Sequence, residues 1–123
     1  MKIGTDIVAI ERIEKAIIKH GEIFKKRFLS DDEIVLAKSN SSVAGFWAAK
    51  EAISKALGCG IGGELSFHDI VLFKDKKGAP HFKLSAVAQS NFNIQSSSLS
   101  ISHDGGFAIA IAILVLSTTT NKL

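Results

Sequence analysis

The sequence predicts an α+β fold, a single domain in which a mostly antiparallel sheet packs on a long central helix. Helical spacing of apolar residues dominates the first half of the chain, whereas alternating strand patterns dominate the last third. No repeat or linker divides the 123 residues, and a hydrophobic content of 46% is enough for one core. We assign residues 1–116 to this domain and residues 117–123 to a polar C-terminal tail.

The first half of the chain begins with a strand and continues with helices. Ile3–Ile10 is apolar and rich in β-branched residues, which predicts the strand. The helix that follows ends at Gly21, and a short second helix carries Phe24 and Phe28. Ser30 precedes three acidic residues and marks another helix N-terminus, because serine caps helices and acids favour the first turn.

A long central helix starts in the polar segment Asn40–Ser42 and ends at Gly58. Short strands, turns and one small helix follow it. The predicted elements are strands at Ile70–Lys74, His81–Leu84, Ser98–His103 and Phe107–Val115, a helix within Ser85–Phe92 and a hairpin turn at Asp104–Gly106. The last strand alternates large residues with alanines, which predicts burial on both faces and a close neighbour against the alanine face.

Composition and charge limit the function classes. A single cysteine, Cys59, excludes an intramolecular disulfide and favours a reducing cytoplasm. The longest apolar run, Phe107–Leu116, is far shorter than the ~20 residues that span a bilayer. Between Arg12 and Arg27 the chain has six Lys or Arg residues against two acidic ones. Such a patch attracts a nucleic acid, a membrane surface or an acidic protein, or is a solvated helix face without a partner.

The central helix carries a stripe of polar residues on a surface that is otherwise alanine and aliphatic. At 100° per residue, the stripe falls within an arc of about 140°. Its members are Lys50, Glu51, Ser54, Lys55 and Gly58. Because charges on a buried helix need partners, the helix is either a core element with an internal Glu51–Lys55 pair or the floor of an active site.

Asp6 adds a second carboxylate, which lies inside an apolar strand and is costly unless it is paired. It meets Lys50, Lys55 or Arg12, or it converges with Glu51 around a cation. Two carboxylates suit Mg²⁺, which completes its shell with water and substrate phosphates, and nearby lysines would neutralise further phosphate charge. The second arrangement predicts a phosphoryl or nucleotidyl transfer site.

At these residues the chain resembles the holo-acyl-carrier-protein synthases, the small bacterial 4′-phosphopantetheinyl transferases. Ile3–Ile7 followed by Glu11–Ile13 is similar to their opening G-x-D-I…R-I signature, and Trp47–Gly58 is similar to their W/F-A-x-K-E-A-x-x-K-A signature. Further matches follow in the family's order from Gly60–Gly62, in the glycine loop Cys59–Gly63, to Ser100–His103. The resemblance covers about Ile3 to Ile113, and it implies a phosphopantetheinyl transferase-like, trimer-forming fold.

The resemblance implies transfer of phosphopantetheine from coenzyme A to a serine of apo-acyl carrier protein, for fatty acid biosynthesis. It implies Mg²⁺ held by Asp6 and Glu51, with Glu51 and Lys55 as the catalytic residues. The residues that it places at coenzyme A are Lys50, Ser54, Lys55, Gly58, Gly60, Ile61, Gly62 and His103. The residues that it places against the carrier protein are Arg12, Lys15, Lys19, Phe24 and Arg27. The expected assembly is a homotrimer with active sites between subunits, with neither nucleic acid nor membrane as a partner.

One position departs from the family pattern. Many members have arginine just before the W/F position, where this chain has Phe46. The phosphate contact would then need another cation, such as Lys50, Lys77, Lys83 or a lysine of a neighbouring subunit. Two other hypotheses stay open: a non-catalytic basic module that binds an acidic protein or RNA, and a structural domain whose Glu51 and Lys55 only pair with each other.

Overall fold

Five strands and five α-helices make up residues 1–117, the part of the chain that this computed structural model describes. The first half contains β1 (Lys2–Ala9), α1 (Ile10–His20), α2 (Glu22–Phe28), α3 (Asp31–Leu36) and α4 (Asn40–Ala56). A 3₁₀ turn (Phe67–Asp69) then precedes β2 (Ile70–Lys74), β3 (Pro80–Leu84), α5 (Ala86–Phe92), β4 (Ile94–Asp104) and β5 (Phe107–Leu116). The predicted α+β class and the order of its elements are confirmed, and of the predicted tail only Ser117 lies within the described residues.

The main sheet has the order β1–β5–β4, and both of its pairings are antiparallel. Strands β2 and β3 form a separate antiparallel hairpin. Helix α4 lies across β1 and β5, so the long central helix packs on the sheet as predicted. None of the helices in residues 1–117 is both long and apolar enough to cross a membrane.

Local signals set most helix boundaries. Gly21 has a φ of 61° and ends α1, because glycine adopts this left-handed region without steric cost. The Ser30 hydroxyl accepts from the Glu33 backbone N–H and the Glu33 carboxylate accepts from the Ser30 N–H, which forms a capping box at α3. Ser39 caps α4 through the Ser42 N–H, and the helix ends at Ala56, two residues before the predicted Gly58.

Strand β5 corrects one prediction. Its alanines are buried against α4, but its large residues are on the opposite face of the sheet and exposed, with Phe107, Ile109 and Ile111 retaining 49%, 38% and 42% of their accessible surface. The prediction of burial on both faces is therefore wrong for the single chain. Strand β4 is also longer than predicted and begins at Ile94, because its serine-rich start still pairs with β5 across a register shift.

Candidate active site

The crossing of β1 and α4 is unusually close, and Gly4 is the reason. A Cβ at this position would overlap the carbonyl oxygen of Ala52 on α4. Only glycine allows the strand backbone to approach the helix backbone to this distance. Because side chains alternate along a strand, Asp6 lies on the same side of β1 as Gly4. It is thereby brought against the turn of α4 that carries Glu51 and Lys55.

Asp6 forms an ion pair with Lys55 across this crossing. The Lys55 Nζ lies 2.9 Å from Asp6 Oδ1 and donates a second hydrogen bond to the Thr5 carbonyl at 3.2 Å. The Asp6 side chain is 14% exposed and that of Lys55 is 54% exposed, so the pair lies at an open edge of the core. Within the described residues Lys55 pairs with Asp6 and not with Glu51, which excludes the purely helix-internal ion pair.

Glu51 lies within electrostatic reach of the same pair. Burial raises the pKa of Glu51, the Asp6 carboxylate raises it further, and Lys55 and Arg12 lower it. The two carboxylates therefore repel one another, and their joint binding of a metal ion stays a prediction. A cation between them would relieve this repulsion.

The donor set fits a hard divalent cation. Mg²⁺ prefers carboxylate oxygens and usually takes one or two of them, leaving positions for water and phosphate oxygens. Residues 1–117 contain no cluster of three or more His, Cys, Asp or Glu side chains that could hold a metal. The Asp6–Glu51 pair therefore suits Mg²⁺ better than an ion such as zinc, which takes three or four protein ligands.

Two residues predicted to bind coenzyme A are not available to a ligand. Lys50 has no exposed surface, and its Nζ donates to the carbonyls of Phe28 and Phe67 and to Glu33 Oε1. Burial lowers the pKa of Lys50, and the Glu33 carboxylate opposes that shift. Ser54 is also buried, and its hydroxyl donates to the Glu51 carbonyl at 2.7 Å. The prediction that Lys50 and Ser54 bind the cofactor is wrong, because both face the protein interior.

The glycine loop follows the C-terminal end of α4. Gly58 and Gly60 have φ values of 84° and 67°, which explains why glycine occupies both positions. The Gly60 N–H donates to the Ser54 carbonyl at 3.2 Å, and the Gly62 N–H donates to the Leu65 carbonyl at 2.9 Å. The loop therefore has its own backbone bonds, and the ligand contacts of Gly58, Gly60, Ile61 and Gly62 stay a prediction.

His103 lies at the other end of α4, in a pocket of about 170 Å³. The pocket is lined by Ser41, Ser42, Phe46, Lys74, Gly78, Pro80, Ile101 and His103. Phe46 and Ala56, the last residue of α4, are separated by about 15 Å along the helix at 1.5 Å per residue. In one chain, His103 and the glycine loop therefore lie at opposite ends of the helix.

Lys74 is a pocket residue that the sequence analysis did not consider. Its Nζ lies 5.9 Å from the centroid of the Phe46 ring, within range of a cation–π contact. Lys74 is thus the cation that lies next to Phe46, where many family members have arginine. Lys50, which was predicted to replace that arginine, is buried elsewhere. Pairing of Lys74 with Pro80 in the β2–β3 hairpin could have indicated this placement.

The predicted carrier surface is a basic-rimmed pocket between α1 and α2. Its volume is about 250 Å³, and its lining residues are Arg12, Ile13, Ala16, His20, Phe24, Arg27 and Trp47. The Arg12 guanidinium lies 5.6 Å above the Trp47 ring and also lowers the pKa of Glu51. Arg12 therefore lines the pocket and also lies within electrostatic reach of Glu51. Lys15 lies outside it and pairs with Glu11 at 2.9 Å on the exposed side of α1.

The aromatic residues behind this pocket weaken the RNA-binding hypothesis. They pack against one another in tilted, edge-to-face and stacked pairs with ring centroids 5.1–6.1 Å apart, and the members of the cluster are Phe24, Phe28, Trp47 and Phe67. Phe28 is fully buried. Single-stranded RNA is read by exposed aromatic rings that stack on bases, whereas these rings pack against one another within the protein.

Comparisons with known proteins agree with this geometry. The 4′-phosphopantetheinyl transferase superfamily matches residues 2–112. The chain belongs to this superfamily. The holo-[acyl-carrier-protein] synthase of Sulfurovum sp. (strain NBC37-1) is 59% identical over 114 residues, which are 93% of this chain and 96% of that protein.

Two solved structures of the superfamily are similar to the whole domain. The Helicobacter pylori holo-[acyl-carrier-protein] synthase in complex with coenzyme A has a TM-score of 0.90 and 55% identity, and the match covers 92% of this chain and 99% of that one. The Bacillus anthracis holo-(acyl-carrier-protein) synthase, in complex with CoA (3′,5′-ADP), has a TM-score of 0.79 and 40% identity over 94% of this chain and 96% of that one. The family and the transferase-like α+β fold implied by the resemblance are thereby confirmed, and the trimer stays a prediction.

Proposed function

We propose that this chain transfers 4′-phosphopantetheine from coenzyme A to a serine of apo-acyl carrier protein. The products are holo-acyl carrier protein and adenosine 3′,5′-bisphosphate, and the reaction serves fatty acid biosynthesis in the cytoplasm. The observation that carries this proposal is the convergence of Asp6, Glu51 and Lys55 at the crossing of β1 and α4. This cluster occurs in a chain of a superfamily whose similar members are holo-acyl-carrier-protein synthases.

The site residues divide the chemistry between them. The carrier serine attacks the β-phosphate of coenzyme A, and negative charge grows on the bridging oxygen that leaves. We assign the half-exposed Lys55 ammonium a hydrogen bond to that oxygen, which would stabilise the charge where it develops. Asp6 and Glu51 would hold Mg²⁺, which neutralises the diphosphate oxygens when it is bound. We assign the serine proton to a water held by Glu51, because proton transfer needs an acceptor within hydrogen-bond reach of the attacking hydroxyl.

The carrier protein docks on α1 and α2. Acyl carrier proteins are the acidic partner that a basic-rimmed apolar pocket recognises, and Arg12, Phe24 and Arg27 line such a pocket. Lys15 and Lys19 extend the positive surface along α1. Arg12 lines this pocket and also lowers the pKa of Glu51. A carrier bound in the pocket would therefore have its serine near the carboxylates.

Lys74 takes a phosphate of coenzyme A in the pocket beside His103 and Phe46. The proposal rests on the position of its ammonium over the Phe46 ring, where many relatives have arginine. We expect Lys74→Ala to raise the KM for coenzyme A by about tenfold, the loss of one charge-assisted hydrogen bond. If the rise in KM disappears when 3′-dephospho-coenzyme A is the substrate, Lys74 contacts the 3′-phosphate. If the rise in KM persists with that substrate, Lys74 contacts the diphosphate. An unchanged KM for both substrates would show that Lys74 contacts neither.

The functional assembly is a homotrimer with each active site between two subunits. An exposed apolar face on the outer side of the sheet supports an interface, because a face of this kind is typical of a protein contact. Its residues are Ile3, Ile7, Phe107, Ile109 and Ile111. His103 borders an apolar depression on this face together with Ile7 and Phe107. Within one chain, His103 and the glycine loop lie at opposite ends of α4. A second copy bound to this face would bring its own residues to His103.

The deciding experiment measures the mass of the carrier protein. The chain is incubated with apo-acyl carrier protein, coenzyme A and Mg²⁺, and the carrier is expected to gain one phosphopantetheine group. Asp6→Asn is the matched control, because it keeps the shape of the side chain and removes the charge that holds the metal and Lys55. Omission of Mg²⁺ with chelator present tests the metal requirement. No gain of mass with folded protein and several carriers would refute the proposal.

A further inference from the structure

Lys50 has all of its hydrogen-bonding capacity satisfied inside the protein. Its ammonium has three protons, and its three acceptors are the Phe28 carbonyl at 2.7 Å, Glu33 Oε1 at 2.9 Å and the Phe67 carbonyl at 3.0 Å. These acceptors belong to the end of α2, the first turn of α3 and the 3₁₀ turn. One side chain of α4 therefore binds three separate segments.

Glu33 extends these connections to the β2–β3 hairpin. Besides Lys50, its Oε1 accepts from the Ser30 N–H at 2.7 Å, and its Oε2 accepts from the Leu72 N–H at 2.8 Å. We call Lys50 and Glu33 with these bonds the Lys50–Glu33 node. A buried ion pair of this kind is weak grounds for stability, because apolar residues of similar volume often stabilise as well. Its retention is better explained by the single arrangement of segments that it selects.

The node connects the docking surface to the reacting groups. Phe28, whose carbonyl receives the shortest of the Lys50 bonds, is the last residue of α2, and α2 carries Phe24 and Arg27 at the docking pocket. On the other side of the node, Lys50 immediately precedes Glu51 in α4. A shift of α2 relative to α4 would therefore change the distance between a docked carrier and the carboxylates.

We propose that Lys50 is a positioning residue, which fixes α2 against α4 so that a carrier docked on α2 presents its serine to Asp6, Glu51 and Lys55. The inference rests on the proposed docking surface. It assigns Lys50 a role in carrier recognition without contact with the carrier or with coenzyme A.

The test separates carrier recognition from coenzyme A binding. The double variant Lys50→Met with Glu33→Gln removes both buried charges, and the amide oxygen introduced by Glu33→Gln can still accept one of the two backbone N–H groups that bind Glu33. We expect the KM for apo-carrier to rise by about tenfold, equivalent to ~1.4 kcal/mol of binding free energy. The Kd for coenzyme A, measured by calorimetry without carrier, should stay unchanged. If the double variant does not fold, Lys50→Arg carries the same test, because a planar guanidinium cannot reproduce the three bonds of an ammonium.

Two controls distinguish the explanations. Leu84→Ala removes a buried side chain from β3 and none of the node's bonds, so it reports the effect of destabilisation alone. Arg27→Ala tests the docking surface directly. The positioning role is overturned if the folded node variant has an unchanged KM for apo-carrier, or if Leu84→Ala raises this KM equally. In either case, a raised KM in Arg27→Ala still supports the docking surface. An unchanged KM in Arg27→Ala overturns the docking surface and the inference that rests on it.

Discussion

The two faces of the β1–β5–β4 sheet differ in the size of their side chains. On the inner face, glycine and alanine bring the backbones of β1 and β5 close to α4, and the active-site carboxylates lie at this contact. On the outer face, Phe107, Ile109 and Ile111 present large apolar side chains that nothing in the described part of the chain covers. Small residues therefore bring β1 close to α4, and large residues form an exposed apolar surface, which we propose that a second copy buries. The variants below separate these two functions, in order of decreasing expected effect.

Lys55→Met tests the chemistry at the inner face and should have the largest effect. We expect kcat to fall by about 10²–10³-fold, the usual cost of removing a donor aimed at developing charge. The measurement is the rate of carrier modification at saturating coenzyme A and carrier. Lys55→Arg keeps the positive charge opposite Asp6 and should recover part of the loss. A loss of less than about tenfold, or a Lys55→Arg enzyme as poor as Lys55→Met, would contradict direct stabilisation by this ammonium.

Gly4→Ala tests the close approach of strand and helix. The added Cβ would overlap the Ala52 carbonyl, so β1 must move away from α4, and we expect a loss of about 1–3 kcal/mol in unfolding free energy. Movement of β1 also separates Asp6 from Lys55 and Glu51, so activity should fall even at temperatures where the variant is folded. Urea unfolding and kcat of the folded variant check both parts. Gly63→Ala is the control, because a Cβ there meets nothing within 4 Å.

Ile109→Glu tests the outer face. Ile109 is 38% exposed in the single chain, and a carboxylate there would be buried without a partner if a second copy covers the face. We expect the variant to dissociate in analytical ultracentrifugation, to lose activity and to keep the circular dichroism of the folded chain. Val35→Glu, a substitution of an exposed residue on α3, is the control and should leave the assembly intact. A monomeric wild-type chain with full activity would refute the inter-subunit site.

The same contrast shows what the sequence could predict. The helix caps and turns follow from local chemistry, which is why the Ser30 signal and the Gly21 terminus were correct. Asp6 and Glu51 could be paired because each was an isolated carboxylate in an apolar element. Lys50 could not be separated from Lys55, because both lie in one arc of the helix and only the neighbouring segments decide which one is buried. The outer face of β5 has the composition of a core, and one chain cannot supply what covers it.

Glu51→Gln should have the smallest effect on stability among these variants, and the sign of that effect is informative. Burial and Asp6 raise the pKa of Glu51 above its ordinary value of 4.5, so the folded chain binds this proton more tightly than the unfolded chain does. Ionised Glu51 therefore costs stability, and this cost develops as pH rises from 4.5 through the raised pKa. In chelator at pH 7, Glu51→Gln should raise the Tm by about 1–3 °C, and the gain should vanish below pH 4.5.

Mg²⁺ should reverse the order of Tm between the wild-type chain and Glu51→Gln, because an ion that binds only the folded state stabilises that state. Added Mg²⁺ should raise the Tm of the wild-type chain and leave that of Glu51→Gln nearly unchanged. A wild-type chain that is more stable than the variant in chelator would show that Lys55 and Arg12 outweigh the burial and Asp6 repulsion of Glu51. Equal responses of both proteins to Mg²⁺ would remove Glu51 from the metal site and leave Asp6 as its only carboxylate in the cluster.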